Sequence, residues 1–485
     1  MTEAKFTRGG TMRHVVSMTA AGGAGLIALF FVDALNLFYV SLLGQRELAA
    51  AIGFAGTVQF FMISLAVGLS IATSAVVSRA VGAGDRAAAR RLGSSSLTLL
   101  VAALGLVAVL LWLNRDAALG LLGAEGETLA IASRFLSITL PFLPCIGVGM
   151  VCGGLLRAVG DARRAMFITL SSGAVAAVLD PLLIFGLGLG IDGAAIALAI
   201  TRGLMAVVGL YFAIGVRDLC ARVDLAATLR DARPILGIGL PAVATQLSTP
   251  FGNAFLTGVV AAHGDAAVAG WAVVMRLTPL AFGVIFALSG AVGPILGQNR
   301  GAGLFGRIRR AYRDALLFAG AWVLSAWLLL WLASGLIVRG FGLTGAGAEV
   351  FATFARVGAG GFLFTAALFV SNAAFNNLGR PALSTLFNWS RDGAAIPLLA
   401  FLIGDSAGAG GVILVQAVAA LAVGSAAALT AWAYVRHLSR AAAAPAVVPV
   451  QPPFGSGRAA LAAQLGAEES PGELPSGLEQ EKRAR

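Results

Sequence analysis

Apolar residues in this chain do not alternate with polar ones as they would in a half-buried strand or a surface helix. They run together in blocks long enough to cross a bilayer core, which takes about 20 residues of helix. Twelve blocks can be marked, at 16–42, 50–78, 93–113, 128–157, 165–189, 193–215, 234–261, 267–298, 314–338, 350–378, 382–403 and 409–436. In hydrocarbon a single segment can pair all its backbone groups only as a helix. The pattern therefore predicts an all-α integral membrane protein with twelve transmembrane helices. Basic residues fall in every second connection. The side of the N-terminus receives Lys5, Arg8 and Arg13, then Arg79, Arg86, Arg90 and Arg91, then Arg157, Arg163 and Arg164, and so on to Arg436 and Arg440. The other side receives Arg46, Arg115 and Arg339. This bias predicts both termini in the cytoplasm. It also checks the span count, because a missed span would scramble the alternation.

Composition removes the main competitors. The chain is 58% hydrophobic and 12% charged, whereas an ordinary soluble domain is about 25% charged. Such a chain could not cover a water-facing surface, so a soluble enzyme is excluded. A net charge of +11 would suit nucleic acid, but the basic residues are dispersed between apolar blocks, and no nucleic-acid partner is expected. Cys145, Cys152 and Cys220 make an odd set without a pairing or zinc pattern. His14, His263 and His437 stand at span edges, so no metal site is expected. Lys5 and Lys482 are the only lysines among 34 basic residues, a usage typical of a GC-rich bacterial genome and so of a bacterial inner (plasma) membrane. The first block resembles a signal peptide but is one of many equal blocks, and is read as a retained helix. From 441 to 485 prolines recur, at 445, 449, 452, 453, 471 and 475, which predicts a disordered cytoplasmic tail.

The chain repeats itself. Gly82-Ala83-Gly84 returns as Gly301-Ala302-Gly303, and the same offset of 219 takes Arg90-Arg91 to Arg309-Arg310, Ser70 to Ser289 and Gly160 to Gly379. Each copy holds six spans. Six is even, so both copies enter the membrane in the same sense, giving two parallel six-helix lobes about a pseudo-twofold axis along the membrane normal. The expected organisation is an N-lobe at 1–219, a C-lobe at 220–440 and the tail at 441–485. Transporters built this way bind cargo near the midplane and move one lobe against the other.

Polar residues inside the spans are the candidate chemistry. A carboxylate at membrane depth costs about 2.5–3.5 kcal/mol or more, so Asp33 in span 1 and Asp180 in span 5 are candidates to carry a proton or sodium ion. Asn36 lies one turn beyond Asp33, and with Tyr39, Gln59 and Arg202 it is assigned to an N-lobe cavity. Pro181 removes a backbone donor next to Asp180 and frees carbonyls there. Arg202 falls at a depth similar to that of Asp180, so a transport role and a static ion pair both stand. In the C-lobe, Gln246, Thr249 and Asn253 recur beside Pro250, while Asn372 and Asn376 share a helix face. These are assigned to a cargo pocket, with interhelical hydrogen bonding the competing role. Arg134, Arg276, Arg356 and Arg391 fall within or at the ends of spans; each suits a structural role first, and anionic cargo second. The Gly-Ala-Gly loops lack the Lys-Ser/Thr of a phosphate loop, so they are read as turns, and no cofactor is expected beyond an ion gradient.

The chain also resembles a family, the multidrug and toxic compound extrusion (MATE) transporters, from about residue 15 to 438. The resemblance is carried by Val32-Asp33-Ala34-Leu35-Asn36-Leu37-Phe38-Tyr39, by Val81-Gly82-Ala83-Gly84-Asp85 and its copy Gly297 to Gly303, by Leu156-Arg157-Ala158-Val159-Gly160-Asp161, and by Leu179-Asp180-Pro181-Leu182. It implies export of drugs or metabolites, coupled to inward flow of protons or sodium, with Asp33 and Asp180 as the coupling acids. Departures are Ala176 where an Asn often stands, Gly22 where span 1 often has a Pro (its repeat partner is Pro241), and Thr249 and Thr365 nearest to the C-lobe acids of some branches. Coupling is thus expected in the N-lobe of a monomer that binds an amphipathic small molecule and H+ or Na+ in the lipid bilayer. The alternatives are a flippase for lipid-linked or anionic cargo and, from another class, an integral membrane enzyme; clustered aspartates or a nucleophile with a base would be needed for the latter, and neither is present.

Overall fold

The computed structural model describes residues 4–41, 46–403 and 408–443; within these, the side chains at 28–29, 31–38, 40–41, 46–47, 49 and 442–443 are also outside the description. The tail expected at 441–485 is therefore outside the described residues beyond 443. Twelve helical rods follow one another, with no strand among the described residues. They are α1 Thr11–Ser41, α2 Arg46–Gly82, α3 Arg86–Leu113, α4 Gly126–Ala158, α5 Ala162–Gly186, α6 Gly190–Val216, α7 Leu225–Ala261, α8 Asp265–Gly301, α9 Phe305–Gly340 and α10 Gly345–Leu378. Then come α11, which joins Pro381–Trp389 through Ser390–Ala395 to Ile396–Ile403, and α12 Gly411–Ala443.

Among the described residues, nine of these rods are long and apolar enough to cross a membrane. The other three are α1, α7 and α11. The first includes side chains outside the description, α7 carries three prolines with Gln246, Thr249 and Asn253, and α11 carries Arg391 and Asp392. Several rods begin before the apolar blocks, because hydropathy marks only the hydrocarbon-depth part of a helix. Asp85, Asp161 and Asp224 set three of these starts as N-caps, accepting hydrogen bonds from Ala88 N, Arg164 N and Ala226 N.

Two buried cores form, one for each half. The first gathers Leu100, Leu104, Leu136 and Leu155 with their neighbours, and also Ile235 and Ile238 of α7. The second gathers Phe282, Tyr312, Phe351 and Phe375, and also Phe6, Val15 and Met18 from the start of the chain. Each half thus inserts the start of its first helix into the opposite core. Polar bonds mark both insertions. Asp231 on α7 accepts from Ser95 Oγ at 2.8 Å and Arg91 Nε at 3.1 Å on α3, while Thr11 Oγ1 on α1 donates to Asp314 on α9. Ser95 and Asp314 are related by the 219 offset, so acid and hydroxyl exchange helices between the two copies.

The basic residues of the N-terminal side are not all solvated, contrary to the loop assignment made from sequence. Arg79 and Arg157 belong to α2 and α4 and both turn inward, Arg79 to carbonyls that end another helix, as a long cation near a helix terminus can, and Arg157 to the Ser70 hydroxyl within α2. In the loop between α4 and α5, Asp161 meets Arg164 at 2.5 Å and Arg217 Nε at 2.7 Å. Burial alone would raise the Asp161 pKa, but these hydrogen bonds and the Arg217 charge outweigh it and hold the carboxyl below its ordinary value of 3.8. The contribution to stability is present above the unfolded carboxylate pKa and is lost as pH falls through the lower folded value. Asp161→Asn is expected to cost about 2 kcal/mol at neutral pH and to flatten the loss of stability on acidification. Thermal unfolding of both proteins from neutral pH into the acid range checks this; equal midpoints at neutral pH would remove the network from the stability account.

Candidate functional site

Three polar groupings lie among the rods. The first is in the N-half, where prolines create it. Pro141 and Pro144 interrupt α4 with a 3-10 turn at Leu140–Phe142. Leu143 N bonds to Leu140 O there, which leaves Thr139 O without its α-helical donor. Arg202 Nη1 on α6 supplies the donor instead, at 3.0 Å. Its Nη2 donates to Gln59 Oε1 on α2, and Gln59 Nε2 donates to Thr139 Oγ1 at 3.3 Å. Gln59, Thr139 and Arg202 are all buried, and Arg202 Nε has no hydrogen-bond partner among the described residues.

Asp180 is buried at the end of the α-helical part of α5, where Pro181 leads into a π-helical turn at Leu182–Gly186. Asp180 has a bonded or electrostatic neighbour of its own. Arg202 is turned to α2 and α4, and the Asp180–Arg202 ion pair weighed from sequence is not formed among the described contacts. Tyr39 packs edge-on to Phe185 with ring centroids 6.2 Å apart, joining α1 to α5. Asp33 and Asn36 lie on α1, but their side chains are outside the described residues.

The second grouping is in the C-half. Asn388 Nδ2 donates to Asn372 Oδ1 at 3.0 Å, and Ser384 Oγ to Asn376 Oδ1 at 3.2 Å, so these two asparagines of α10 are engaged by α11. Thr249 Oγ1 reaches Asp392 Oδ2 at 3.5 Å, and Ser248 Oγ donates to the same oxygen at 3.0 Å. Arg391 Nε and Nη2 hold the two Asp392 oxygens at 2.7 and 2.9 Å. This buried, charge-balanced cluster sits on the π-helical turn Ser390–Ala395; sequence reasoning took Arg391 and Thr249 from it as separate candidates and did not join them through Asp392. Gln246 and Asn253 are partly buried on α7, and no described bond draws their side chains to this cluster. Of the other arginines weighed for a cavity, Arg276 and Arg356 are exposed, and Arg134 is exposed and pairs with Asp192 at 2.5 Å.

The third grouping was not foreseen from sequence. Arg79 on α2 donates to the carbonyls of Asn376 and Asn377 that end α10, at 2.9 and 3.1 Å. Gln298 Nε2 on α8 donates to Ala158 O at the end of α4, at 2.7 Å. The 219 offset relates Arg79 to Gln298 and Ala158 to Asn377, so each half caps a helix of the other in the same way. The two backbones touch between these caps. A Cβ on Gly82 would overlap Gln298 O, and one on Gly301 would overlap Arg79 O. This explains one glycine of each Gly-Ala-Gly. The other, Gly84 or Gly303, has φ of +77° or +70° and makes the turn. A short strap from the N-terminus seals the crossing. Phe6 N donates to Gln298 Oε1 at 2.9 Å, Lys5 Nζ to Gly160 O at 3.1 Å, and Arg307 Nη2 to Phe6 O at 2.9 Å. One end of the bundle is therefore closed.

Comparison with known proteins agrees with this architecture. The chain matches the MatE family over residues 24–182 and again over 241–401, once for each copy of the repeat. A FAD transporter of Shewanella oneidensis is 27% identical over 312 residues, covering 63% of this chain and 69% of that protein. The multidrug export protein MepA of Staphylococcus aureus is 28% identical over 270 residues, covering 55% of this chain and 59% of MepA. Among solved structures, a MOP superfamily transporter of Pyrococcus furiosus superposes with a TM-score of 0.83 at 23% identity, over 90% of this chain and 98% of that one. A variant of the Vibrio cholerae MATE transporter VcmN gives 0.83 at 25% identity, over 88% and 97%.

The Arg202 grouping generates a stability test. Arg202→Ala leaves Gln59 Oε1 and Thr139 O unpaired in the core, and with hydrogen bonds to a charged donor worth about 1.5–3 kcal/mol each, a loss of about 3 kcal/mol is expected. Arg202→Lys should restore less than half, since a point ammonium cannot serve both acceptors as the guanidinium fork does. Thermal unfolding in detergent measures both variants, and full rescue by lysine would contradict the fork geometry.

Proposed function

Because this chain belongs to the MatE family of multi-pass membrane transporters, we propose that it exports amphipathic small molecules from the bacterial cytoplasm by alternating access, driven by an inward proton gradient. The observation that carries this reading is the symmetric closed end. Arg79, Gln298, Gly82 and Gly301 cap and touch across the two halves in a twofold pattern at one end of the bundle, beside the insertions of α1 and α7. The end bears Arg86, Arg90, Arg300 and Arg307, which by the positive-inside bias is the cytoplasmic one. Alternating access requires that this seal be exchanged for another at the opposite end, and a twofold set of discrete caps and glycine contacts is an element that can be made or broken as a unit.

Coupling is assigned to Asp33 and Asp180. Asp180 is buried beside the Pro181 break, where a carboxylate that gains or loses a proton changes the local cost of burial by several kcal/mol. No group in the proposed cycle performs covalent chemistry, and the protein acts as a monomer with both termini in the cytoplasm. The name of MepA favours multidrug cargo, and the name of the Shewanella relative favours an anionic nucleotide cofactor.

Two experiments test the proposal. In proteoliposomes, wild-type efflux of a fluorescent drug should follow an imposed proton gradient; Asp33→Asn and Asp180→Asn should each abolish gradient-driven efflux while eluting as folded protein. Efflux at the wild-type rate from either variant would remove that residue from coupling, and efflux that follows only sodium would replace the driving ion. The second experiment locks the seal. A Cβ on Gly297 would lie 3.0 Å from Ser78 Cβ, close to the span of about 3.5–4.5 Å that a disulfide needs. In a background lacking the native cysteines, Ser78→Cys with Gly297→Cys should stop transport on oxidation and resume it on reduction. Undiminished transport by the oxidised protein would mean that this end never opens.

A further inference from the structure

Arg157 has a role that neither the fold nor the seal explains. It stands one residue before Ala158, whose carbonyl Gln298 caps. Cβ bonds tilt toward a helix's N-terminus, so the Arg157 side chain points back into the bundle, away from the closed end. Gly153, one turn earlier, makes room for it: a Cβ there would lie 3.3 Å from Arg157 Nη1. The guanidinium reaches from α4 toward both α2 and α8. Its Nη2 donates to Ser70 Oγ over a long 3.4 Å, and its Nε lies 3.9 Å from where a Cβ on Gly290 would stand.

Gly290 is exposed, although the eleven residues to Gly301 put it about 16 Å of helix away from the closed end of α8. Arg157 is itself only partly buried. Both therefore keep accessible surface where α4 of one half faces α8 of the other. Among the described residues no carboxylate pairs with Arg157. Nor does the repeat cancel its charge: the position related to it by the 219 offset is Asn376, which is neutral and already bonded to Ser384. Phe286 lies four residues before Gly290 on the same face of α8. Its ring packs with Phe30, Phe362 and Phe369, at centroid distances of 6.5, 6.2 and 5.5 Å.

We propose that Arg157 is the receptor for a carboxylate or phosphate group on an aromatic cargo, whose flat body rests against the Phe286 cluster on α8. A half-desolvated guanidinium with donors to spare binds such a group through charge-assisted, paired hydrogen bonds, while an ammonium-bearing cargo of the same shape is repelled. Ser70 holds the fork in position by accepting from Nη2. This assignment rests on the transporter reading above and narrows its cargo to organic anions.

The test uses the full-length protein in phosphatidylcholine nanodiscs and three probes with one ring system: naphthoate, naphthylmethanol and naphthylmethylammonium. Calorimetric titration should give naphthoate the tightest binding, by about tenfold over the alcohol, equivalent to about 1.4 kcal/mol. Arg157→Gln should abolish that preference, Arg157→Lys should keep part of it, and Phe286→Ala should weaken naphthoate and alcohol alike. The lysine variant guards against misfolding as the cause of loss. Tightest binding of the ammonium probe, or an unchanged naphthoate affinity in Arg157→Gln, would overturn the proposal. A lipid headgroup has the same anionic chemistry, so the titration is repeated in phosphatidylglycerol nanodiscs; loss of naphthoate binding there would assign the site to lipid and overturn it as a cargo site. Gradient-driven efflux of a cationic dye together with failure of the naphthoate arm would leave the exporter reading standing and sink this one. Arg157-dependent naphthoate binding without gradient-driven efflux of any probe would do the reverse.

Discussion

The structure turns on a glycine-to-backbone crossing between α2 and α8. Gly82 and Gly301 let the two helices meet at van der Waals distance, and this contact brings Arg79 within reach of the α10 carbonyls and Gln298 within reach of Ala158 O. In a bilayer there is no hydrophobic force to draw one helix to another, so small residues and paired polar groups must hold the halves together. Here both devices coincide, and the repeat makes them twofold. The ends of α4 and α10 would otherwise present unsatisfied carbonyls. Capping them across the interface makes the closure of one half depend on the position of the other.

The polar groups deeper in the bundle follow a second rule. Each sits where a helix has been broken. Pro141 and Pro144 free Thr139 O for Arg202, Pro181 opens a π-helical turn beside Asp180, and the turn at Ser390–Ala395 carries Arg391 and Asp392. An unpaired buried carbonyl is costly, and so is a buried charge; placing them together satisfies both. The halves solve this differently. The C-half neutralises its acid internally, through the bidentate Arg391–Asp392 pair. The N-half presents Arg202 and Arg157 without a carboxylate partner among the described contacts. That asymmetry stands on an otherwise symmetric frame.

Local sequence carried much of this. Hydropathy located the rods, since an apolar block of span length has one backbone solution in hydrocarbon. It underestimated their lengths: α7 begins at Leu225 and α9 at Phe305, ahead of the blocks at 234 and 314, because the turns outside the hydrocarbon are polar and amphipathic. The fixed offset identified the symmetry, and from it the pairs Gly82 and Gly301, and Ser70 and Ser289. It did not reveal that Arg79 and Gln298 do the same work, because a cation and an amide look unrelated until both are seen donating to matched carbonyls.

What the sequence by itself determined, then, was everything set within one helix or by the repeat: twelve helices, two parallel lobes, the breakers, and the acids that hydrocarbon makes costly. Those depend on residue type and spacing alone. What only the tertiary structure decided was direction. Arg157 reads as a loop cation, yet the tilt of its Cβ and the gap at Gly153 turn it inward; Thr249 reads as a pocket residue, yet it leans on Asp392. A side chain's partner is set by which helix crosses opposite it and at what height, and those are properties of packing that no single segment contains.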